Sequence, residues 1–371
     1  MIPYILLMFL PLLFSFVMIS KRNGKYSLSI GGNQEVFNNS CMLPVFFFIF
    51  IVMLCLRDES IGRDLVSYKY YFESISALQF SETFHYDLEF LYVLLNWIIS
   101  RFTDNYQIFL SIVAVITVLP IAVIYSQDRE RGFLKIVLFM NMSTFVMIFS
   151  GLRQSIAIAV GMIAYEYVKR KKFGKFILFA IIACGFHHTA FMLFFYYPLY
   201  HFTFKKKHLW FIIPSFILIF VFNRPIFTTL TNLLSVFFND KYSIEMSSTG
   251  AYTMLFVFIG FAILSYLLPE EKRMDKETLG LRNFLLLAVI LQCFAPVHTL
   301  AMRMNYYYII CIPVLMPKLF KCSKNFTHDS VVFIKSALVV FFLGYYLFTT
   351  YISCQTGVSA LDTYPYIPFW K

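Results

Sequence analysis

Continuous apolar runs, separated by short polar stretches, make up most of the chain. Thirteen such runs lie near residues 2–19, 42–56, 88–100, 106–125, 135–150, 154–168, 173–186, 189–204, 209–222, 252–268, 284–300, 304–320 and 331–350. A membrane-spanning helix needs about 20 mostly apolar residues, with about 17 as the lower limit, so the shorter runs must include flanking tyrosines and serines. Because the runs are continuous rather than alternating, they favour helices over strands. The pattern predicts an all-α, polytopic membrane protein.

Composition supports lipid as the solvent of this chain. Of the 371 residues, 60% are apolar and only 14% are charged, and the mean hydropathy is +0.72. Such a chain cannot cover a soluble surface. The net charge of +11 sits in clusters between the apolar runs, which is typical of cytoplasmic loops and argues against nucleic acid as a partner. The first run lacks a basic n-region and a cleavage site, so we expect it to be a retained helix.

Six clusters of basic residues indicate which side of the membrane each loop occupies, because cytoplasmic loops are rich in lysine and arginine. They lie at residues 21–25, 129–135, 169–175, 205–207, 272–282 and 318–324. All six are cytoplasmic only if the run at 88–100 does not cross, and its length suits a re-entrant segment. This predicts about twelve transmembrane helices plus that short re-entrant segment, in a single domain over residues 1–371.

The same topology predicts which segments face outward. Both termini lie outside, together with two loops at 57–87 and 223–251 and the C-terminal tail at 351–371. The middle of the second loop is amphipathic and suits the membrane surface. The seven cysteines form no C-x-x-C pair, so they predict neither a metal site nor a disulfide framework.

The stretch from Gly151 to Ala190 carries the most polar chemistry in an apolar setting. Arg153 and Gln154 open a predicted helix on the outer side, where a helix N-terminus and a guanidinium make an anion site. The alternative is an arginine that reaches the lipid headgroups. His187 and His188 lie at the outer tip of the same helix hairpin, where a histidine can act as a general base or be a structural group. A metal is not expected there, because no carboxylate or cysteine lies at ligand spacing.

Three further positions are predicted at the outer boundary. Asp64, in IGRD beside the tyrosine-rich SYKYYF, is a catalytic carboxylate or a solvated loop residue. Arg303, in MRMNYYY, is a second phosphate or sugar contact. Glu89 opens the re-entrant run and is costly to bury unpaired, so we expect Arg57 or Arg101 to be its partner.

With these residues in place, the chain resembles the EpsG family of bacterial polysaccharide polymerases, which includes many Wzy-type O-antigen polymerases. The order and spacing of six motifs make the case, and together they cover most of the chain from residue 57 onward. In the family's order they are IGRDLVSYKYYF, DLEFLYVLLNWI, GLRQSIAIAV, KFILFAIIACGFHHTA, MRMNYYY and the C-terminal YPY.

The resemblance implies a GT-C-like glycosyltransferase of the bacterial inner membrane. It implies transfer of a growing glycan from undecaprenyl diphosphate to the non-reducing end of another lipid-linked repeat unit, on the periplasmic face, with no metal or other cofactor. Arg153 and Arg303, with Arg57, are then expected to hold the diphosphate, and His187 or Asp64 to accept the proton of the attacking hydroxyl. Gln154, His188 and Glu89 are expected to be further substrate contacts. Whether a chain-length regulator binds the protein is left open.

Other classes remain as alternatives. A flippase for lipid-linked oligosaccharides needs charged residues along a mid-membrane cavity, whereas the ionisable residues here gather at one face. A membrane O-acetyltransferase is expected to keep its catalytic groups in the cytoplasmic half. An O-antigen ligase shares the donor chemistry and differs mainly in its acceptor.

Overall fold

A computed structural model describes residues 1–14, 17–22, 25–30, 41–128, 132–204, 206–234, 250–323 and 326–371. The chain divides into two compact units. Unit 1 comprises Met1–Leu193 and Val332–Lys371, and unit 2 comprises Phe194–Val331. The prediction of a single domain over residues 1–371 stays a prediction.

The regular elements in the described part of unit 1 are helices and one antiparallel hairpin of two strands. The strands are β1 (Val17–Arg22) and β2 (Lys25–Ile30), with Val17 paired to Ile30. The helices are α1 (Ile2–Phe9), α2 (Met42–Leu56), α3 (Leu65–Ser76), α4 (Phe90–Ser100), α5 (Tyr106–Gln127), α6 (Gly132–Asn141), α7 (Ser143–Ser150), α8 (Leu152–Lys169) and α9 (Phe173–Phe186). Short 3-10 helices cover Leu10–Phe14, Phe80–His85 and His188–Phe195.

Helix α8 lies at the centre of unit 1. It packs against α9 and α5, while α4 packs against α9 and α3, and α2 packs against α5. An aromatic cluster fills the space between α2, α6 and α7, where the Phe139 ring lies 6.0 Å from Phe46 and 5.8 Å from Phe145. Rings packed edge-to-face in this way stabilise a core beyond their buried area. Because α7 leads directly into α8, this packing also fixes the start of α8.

Unit 2 is organised around its longest described helix, which buries one arginine and two amides, Arg282, Asn283 and Gln292. Its helices are α10 (Tyr196–His201), α11 (Leu209–Val221), α12 (Asn223–Leu234), α13 (Gly250–Leu267), α14 (Lys276–Phe294), α15 (Thr299–Ile309) and α16 (Ile312–Lys321), and short 3-10 helices cover Lys206–His208 and Glu271–Arg273. α14 packs against α10, α13, α15 and α16. Asn305 Nδ2 donates to Ala288 O and to Gln292 Oε1, each at 3.0 Å, so these amides are bonded inside an apolar core.

Helix α17 (His328–Thr356) starts at the end of unit 2 and continues into unit 1, and a 3-10 helix follows at Ala360–Asp362. Within the described residues, three helices are long and apolar enough to cross a membrane, namely α5, α14 and α17. Two bent pairs raise this number to five, α6 with α7 (bent by 64°) and α11 with residues 223–230 of α12 (bent by 83°). The fold is therefore all-α and fits a polytopic membrane protein.

Prolines divide several runs that the sequence pattern predicts as single helices. The run at 2–19 is wrong as one helix, because Pro11 lies in the 3-10 helix that ends at Phe14 and β1 follows. The run at 284–300 ends at Phe294, two residues before Pro296. The run at 304–320 is interrupted between α15 and α16, whose first turn holds Pro313.

Some predicted features lie outside the described residues. The predicted outer loop at 223–251 begins with α12, and residues 235–249 of it are outside the described part of the chain. The same holds for four members of the basic clusters, Arg129, Arg131, Lys205 and Lys324.

Candidate functional site

A helix hairpin brings two of the predicted site residues to the same end of unit 1. α8 ends at Lys169, and the turn to α9 passes through Lys171, which adopts a positive φ of 54°. The chain then returns along α8, so that Arg153 in the first turn of α8 lies at the same end as His187, which follows α9. The prediction that Arg153 and the histidine pair are neighbours in space is confirmed, because they contact a common carboxylate.

That carboxylate is Glu89, the residue that precedes α4. Its Oε2 accepts a hydrogen bond from Arg153 Nη1, and its Oε1 lies 3.0 Å from His187 Nδ1. Oε1 also accepts the backbone N–H of His188 at 3.3 Å. Only 2% of the Glu89 side chain is exposed, compared with 24% for Arg153 and 8% for His187. The three residues form a nearly buried cluster, which we call the Glu89 cluster.

The expectation that Arg57 or Arg101 partners Glu89 is wrong. Arg57 is 1% exposed and donates through Nη1 to the carbonyl of Phe149 at 2.8 Å. Arg101 lies at the other end of α4, where its guanidinium stacks on the Trp97 ring at 5.0 Å. A helix of 11 residues therefore separates Arg101 from Glu89.

The Glu89 cluster keeps its carboxylate ionised. Burial raises the pKa of Glu89, but the hydrogen bond from His187 and the charge of Arg153 outweigh it and hold that pKa well below its usual value. An ionised carboxylate can only accept hydrogen bonds. Nδ1 of His187 must therefore carry the hydrogen, and in the neutral ring Nε2 is the basic nitrogen.

Tyr68 is a member of the site that sequence reasoning missed. It is buried on α3, and the guanidinium carbon of Arg153 lies 6.0 Å from the centre of its ring. The helical spacing within SYKYYF could have indicated this residue. Tyr68 and Phe72 are four positions apart, so they lie on the same face of α3, and both are buried.

Asp64 reaches the site through a neighbour rather than directly. Ser150, the last residue of α7, donates through Oγ to Asp64 Oδ2 at 3.1 Å and accepts the Asp64 N–H at 3.2 Å. Asp64 is half-buried and immediately precedes α3, one turn before Tyr68. Because α8 begins two residues after Ser150, these bonds place Asp64 beside the start of the helix that carries Arg153.

The remaining predicted residues occupy separate places. Gln154 is buried, with Nε2 3.4 Å from Thr189 Oγ1, so it joins α8 to the segment after α9. His188 is exposed, and its Nε2 lies 3.7 Å from Glu89 Oε1. Arg303 is exposed on α15 and belongs to unit 2.

The arrangement offers proton transfer beside a cation. A histidine oriented by a carboxylate is suited to accept a proton, and a partly exposed arginine is suited to an anionic group. Among the residues that the structure describes, no three His, Cys, Asp or Glu side chains are grouped to hold a metal ion.

Comparison with known protein families identifies a match that covers most of the chain. The family model described as EpsG matches residues 40–368 of the chain, which include the whole Glu89 cluster. No curated protein matches the chain, and no solved structure matches it.

Proposed function

Because the chain belongs to the EpsG family, which indicates a membrane protein of exopolysaccharide biosynthesis, we propose that it is a polysaccharide polymerase. It extends a glycan carried on undecaprenyl diphosphate by transferring it to the non-reducing end of another lipid-linked repeat unit. The twelve-helix, GT-C-like topology in a bacterial inner membrane, with the reaction at the periplasmic face, is part of this proposal.

The observation that carries the proposal is the shared carboxylate of Glu89. It places a histidine base and an arginine on the two oxygens of one ionised group. Transfer from a lipid diphosphate needs both functions, since the acceptor hydroxyl must lose a proton and the leaving diphosphate must be stabilised. The partial exposure of Arg153 leaves part of its guanidinium accessible to such a leaving group.

In the proposed step, the acceptor hydroxyl oxygen bonds to the anomeric carbon of the donor glycan. The bond from that carbon to the diphosphate oxygen breaks, and its electron pair leaves with the lipid diphosphate. The hydroxyl proton passes to Nε2 of His187, while Glu89 stabilises the imidazolium through Nδ1–H. Arg153 pairs with the departing diphosphate.

Other residues have supporting roles in this proposal. Asp64 and the exposed His188 contact the glycan, and Arg303, which belongs to unit 2, is kept as a phosphate or sugar contact of its own. Gln154 orients the segment after α9 through Thr189. Arg57 is buried against Phe149 on α7. It therefore acts through the packing of α7 rather than on the substrate.

The proposal is tested with purified protein in liposomes, supplied with repeat-unit oligosaccharides on undecaprenyl diphosphate. We expect a ladder of longer lipid-linked chains on gels, and we expect Arg153→Ala and His187→Ala to remove it. Arg101→Ala is the matched control, because it deletes an arginine of the same unit that contacts Trp97 instead. Ladders that persist in both site variants would contradict the proposal.

The phenotype of a deletion strain separates the alternatives. Loss of a polymerase leaves a single repeat unit on its acceptor. Loss of a ligase leaves none, and loss of an acetyltransferase leaves full-length chains. A flippase mutant is expected to accumulate unpolymerised repeat units on the cytoplasmic side.

A further inference from the structure

We infer that the C-terminal residues 359–369, which we call the C-terminal strap, position Asp64 beside the Glu89 cluster. The strap holds the 56–63 segment against the end of α7, and Asp64 follows that segment directly. The functional meaning of this positioning rests on the proposed function, whereas the positioning itself does not.

The strap pairs with the 56–63 segment through backbone hydrogen bonds along its length. Near one end, the N–H of Phe369 donates to Leu56 O at 3.0 Å, and the N–H of Asp58 donates to Ile367 O at 2.9 Å. Near the other end, Gly62 donates to Asp362 O at 3.0 Å and Arg63 donates to Leu361 O at 2.9 Å. The C-terminal end of unit 1 is thus tied to the segment that leads into Asp64.

Side chains anchor the strap to the same neighbours. The hydroxyl of Tyr366 donates to Met53 O at 2.8 Å, on the helix that precedes the segment. The ring of Tyr364 lies 4.2 Å from the ring of Tyr4 on α1, and the Tyr4 hydroxyl donates to Thr363 O. An exposed ion pair of 3.1 Å joins Arg63 to Asp362, and exposed pairs contribute little by themselves.

The strap contains backbone strain at the point where it meets Gly62 and Arg63. Leu361 and Asp362 adopt positive φ values of 55° and 52°. Non-glycine residues in this region are strained and persist where the surroundings hold them. Here their carbonyl groups accept the two N–H groups of Gly62 and Arg63. The strained conformation is therefore coupled to the pairing.

The paired segment in turn contacts the end of α7. Gly62 lies so close that a Cβ atom there would be 2.3 Å from Phe149 O. Arg57 donates to the same carbonyl group, and Ser150, the next residue, exchanges two hydrogen bonds with Asp64. A displaced strap would therefore loosen the contact between Asp64 and Ser150.

The test is the reactivity of a cysteine at position 150 in the full-length, detergent-solubilised protein. Ser150→Cys is introduced where the four partly exposed native cysteines, Cys41, Cys55, Cys184 and Cys354, are replaced by serine. The strap is released by Tyr364→Ala with Tyr366→Ala. The matched control is Phe369→Ala with Trp370→Ala, which removes two exposed aromatic rings from the same tail.

We expect a maleimide to label Ser150→Cys about 10-fold faster in the released variant and at an unchanged rate in the matched control, as local opening of the segment requires. An Ala159→Cys probe, buried in the middle of α8, should stay slow in both. Equal labelling at position 150 would overturn the inference. Fast labelling at both 150 and 159 would also overturn it, because the strap would then stabilise the whole unit rather than position Asp64.

Chain elongation by the released variant, without the cysteine probes, supplies the functional readout. Because Asp64 contacts the glycan in the proposed function, a mispositioned Asp64 is expected to raise KM for the lipid-linked substrate more than it lowers kcat. If the protein is not a polymerase, the elongation assay fails for every variant while the labelling result still stands. The two failures are therefore distinguishable.

Discussion

Glu89 Oε1 and His187 Nδ1 lie 3.0 Å apart, although the two residues are 98 positions apart in sequence. The other oxygen of Glu89 pairs with Arg153. One carboxylate thus sets the hydrogen position on the imidazole and the position of the guanidinium. Single and double substitutions can separate the chemical role of this carboxylate from its contribution to stability.

Glu89→Gln keeps the shape of the side chain but removes its charge. The amide cannot stabilise an imidazolium as a carboxylate does, so we expect elongation to fall by about 10²- to 10⁴-fold. Rates in liposomes measure this. Glu73→Gln, at an exposed position of α3, is the matched control and should retain the wild-type rate. An active Glu89→Gln protein would argue against proton transfer through His187.

Arg153→Ala should destabilise the protein, because it leaves the buried carboxylate of Glu89 without its cationic partner. We expect a loss of about 3 kcal/mol, the low end for a buried pair, since Arg153 is partly exposed. Thermal unfolding in detergent measures it. Adding Glu89→Gln should recover most of the stability but none of the elongation. A double variant that regains elongation would show that the pair is only structural.

The two histidines should differ in their effects. His187 contacts Glu89 through its ring, so His187→Ala should lower the elongation rate by about 100-fold or more. His188 bonds to Glu89 through its backbone N–H, which the alanine variant keeps, so its loss should be smaller. His85→Ala, at an exposed position, is the neutral control. The reverse order of effects would assign the base to His188.

The pH dependence of stability should reflect the low pKa of Glu89. Burial raises this pKa, but His187 and Arg153 lower it by a larger amount. The pKa in the folded protein therefore lies below the pKa in the unfolded chain. The stabilisation is then complete above the unfolded pKa of about 4.3 and is lost as the pH falls below it through the folded value.

The groups that face this carboxylate are Arg153, His187 and His188. The difference in unfolding midpoint between wild type and Glu89→Gln should therefore be no smaller at about pH 5 than at about pH 8, and should shrink only below about pH 4. A difference that disappears between about pH 7 and about pH 5 would contradict an ionised Glu89.

Gly62→Ala should disrupt the segment that the strap holds. Gly62 has a φ of 123°, and an added Cβ would meet Phe149 O at 2.3 Å, so we expect a cost of about 1–3 kcal/mol. Thermal unfolding and Ser150→Cys labelling measure this cost. Gly174→Ala is the control, because nothing lies within 4 Å of its Cβ position on α9. An equally stable Gly62→Ala protein would show that the close approach is not needed.

The candidate site was predictable where it depends on one local element. The bounds of α8 and α9 nearly match the apolar runs at 154–168 and 173–186, because the basic turn and the lengths of the runs are local features. A hairpin necessarily brings its two outer ends together, so Arg153 and His187 could be placed as neighbours. The partner of Glu89 could not be chosen this way: the sequence analysis expected Arg57 or Arg101, whereas the structure pairs Glu89 with Arg153.

The sequence by itself indicated a lipid environment, the all-α class and the family, because apolar composition and motif order are properties of the residues themselves. Only the tertiary structure decided which charges pair. Arg153 meets Glu89 across 64 positions, Arg57 is buried against Phe149, and Asp362 of the C-terminal strap meets Arg63 across 299 positions. Burying a charge is costly unless a partner lies close to it. Which partner lies close depends on how the helices pack, and residue spacing along the chain does not encode that packing.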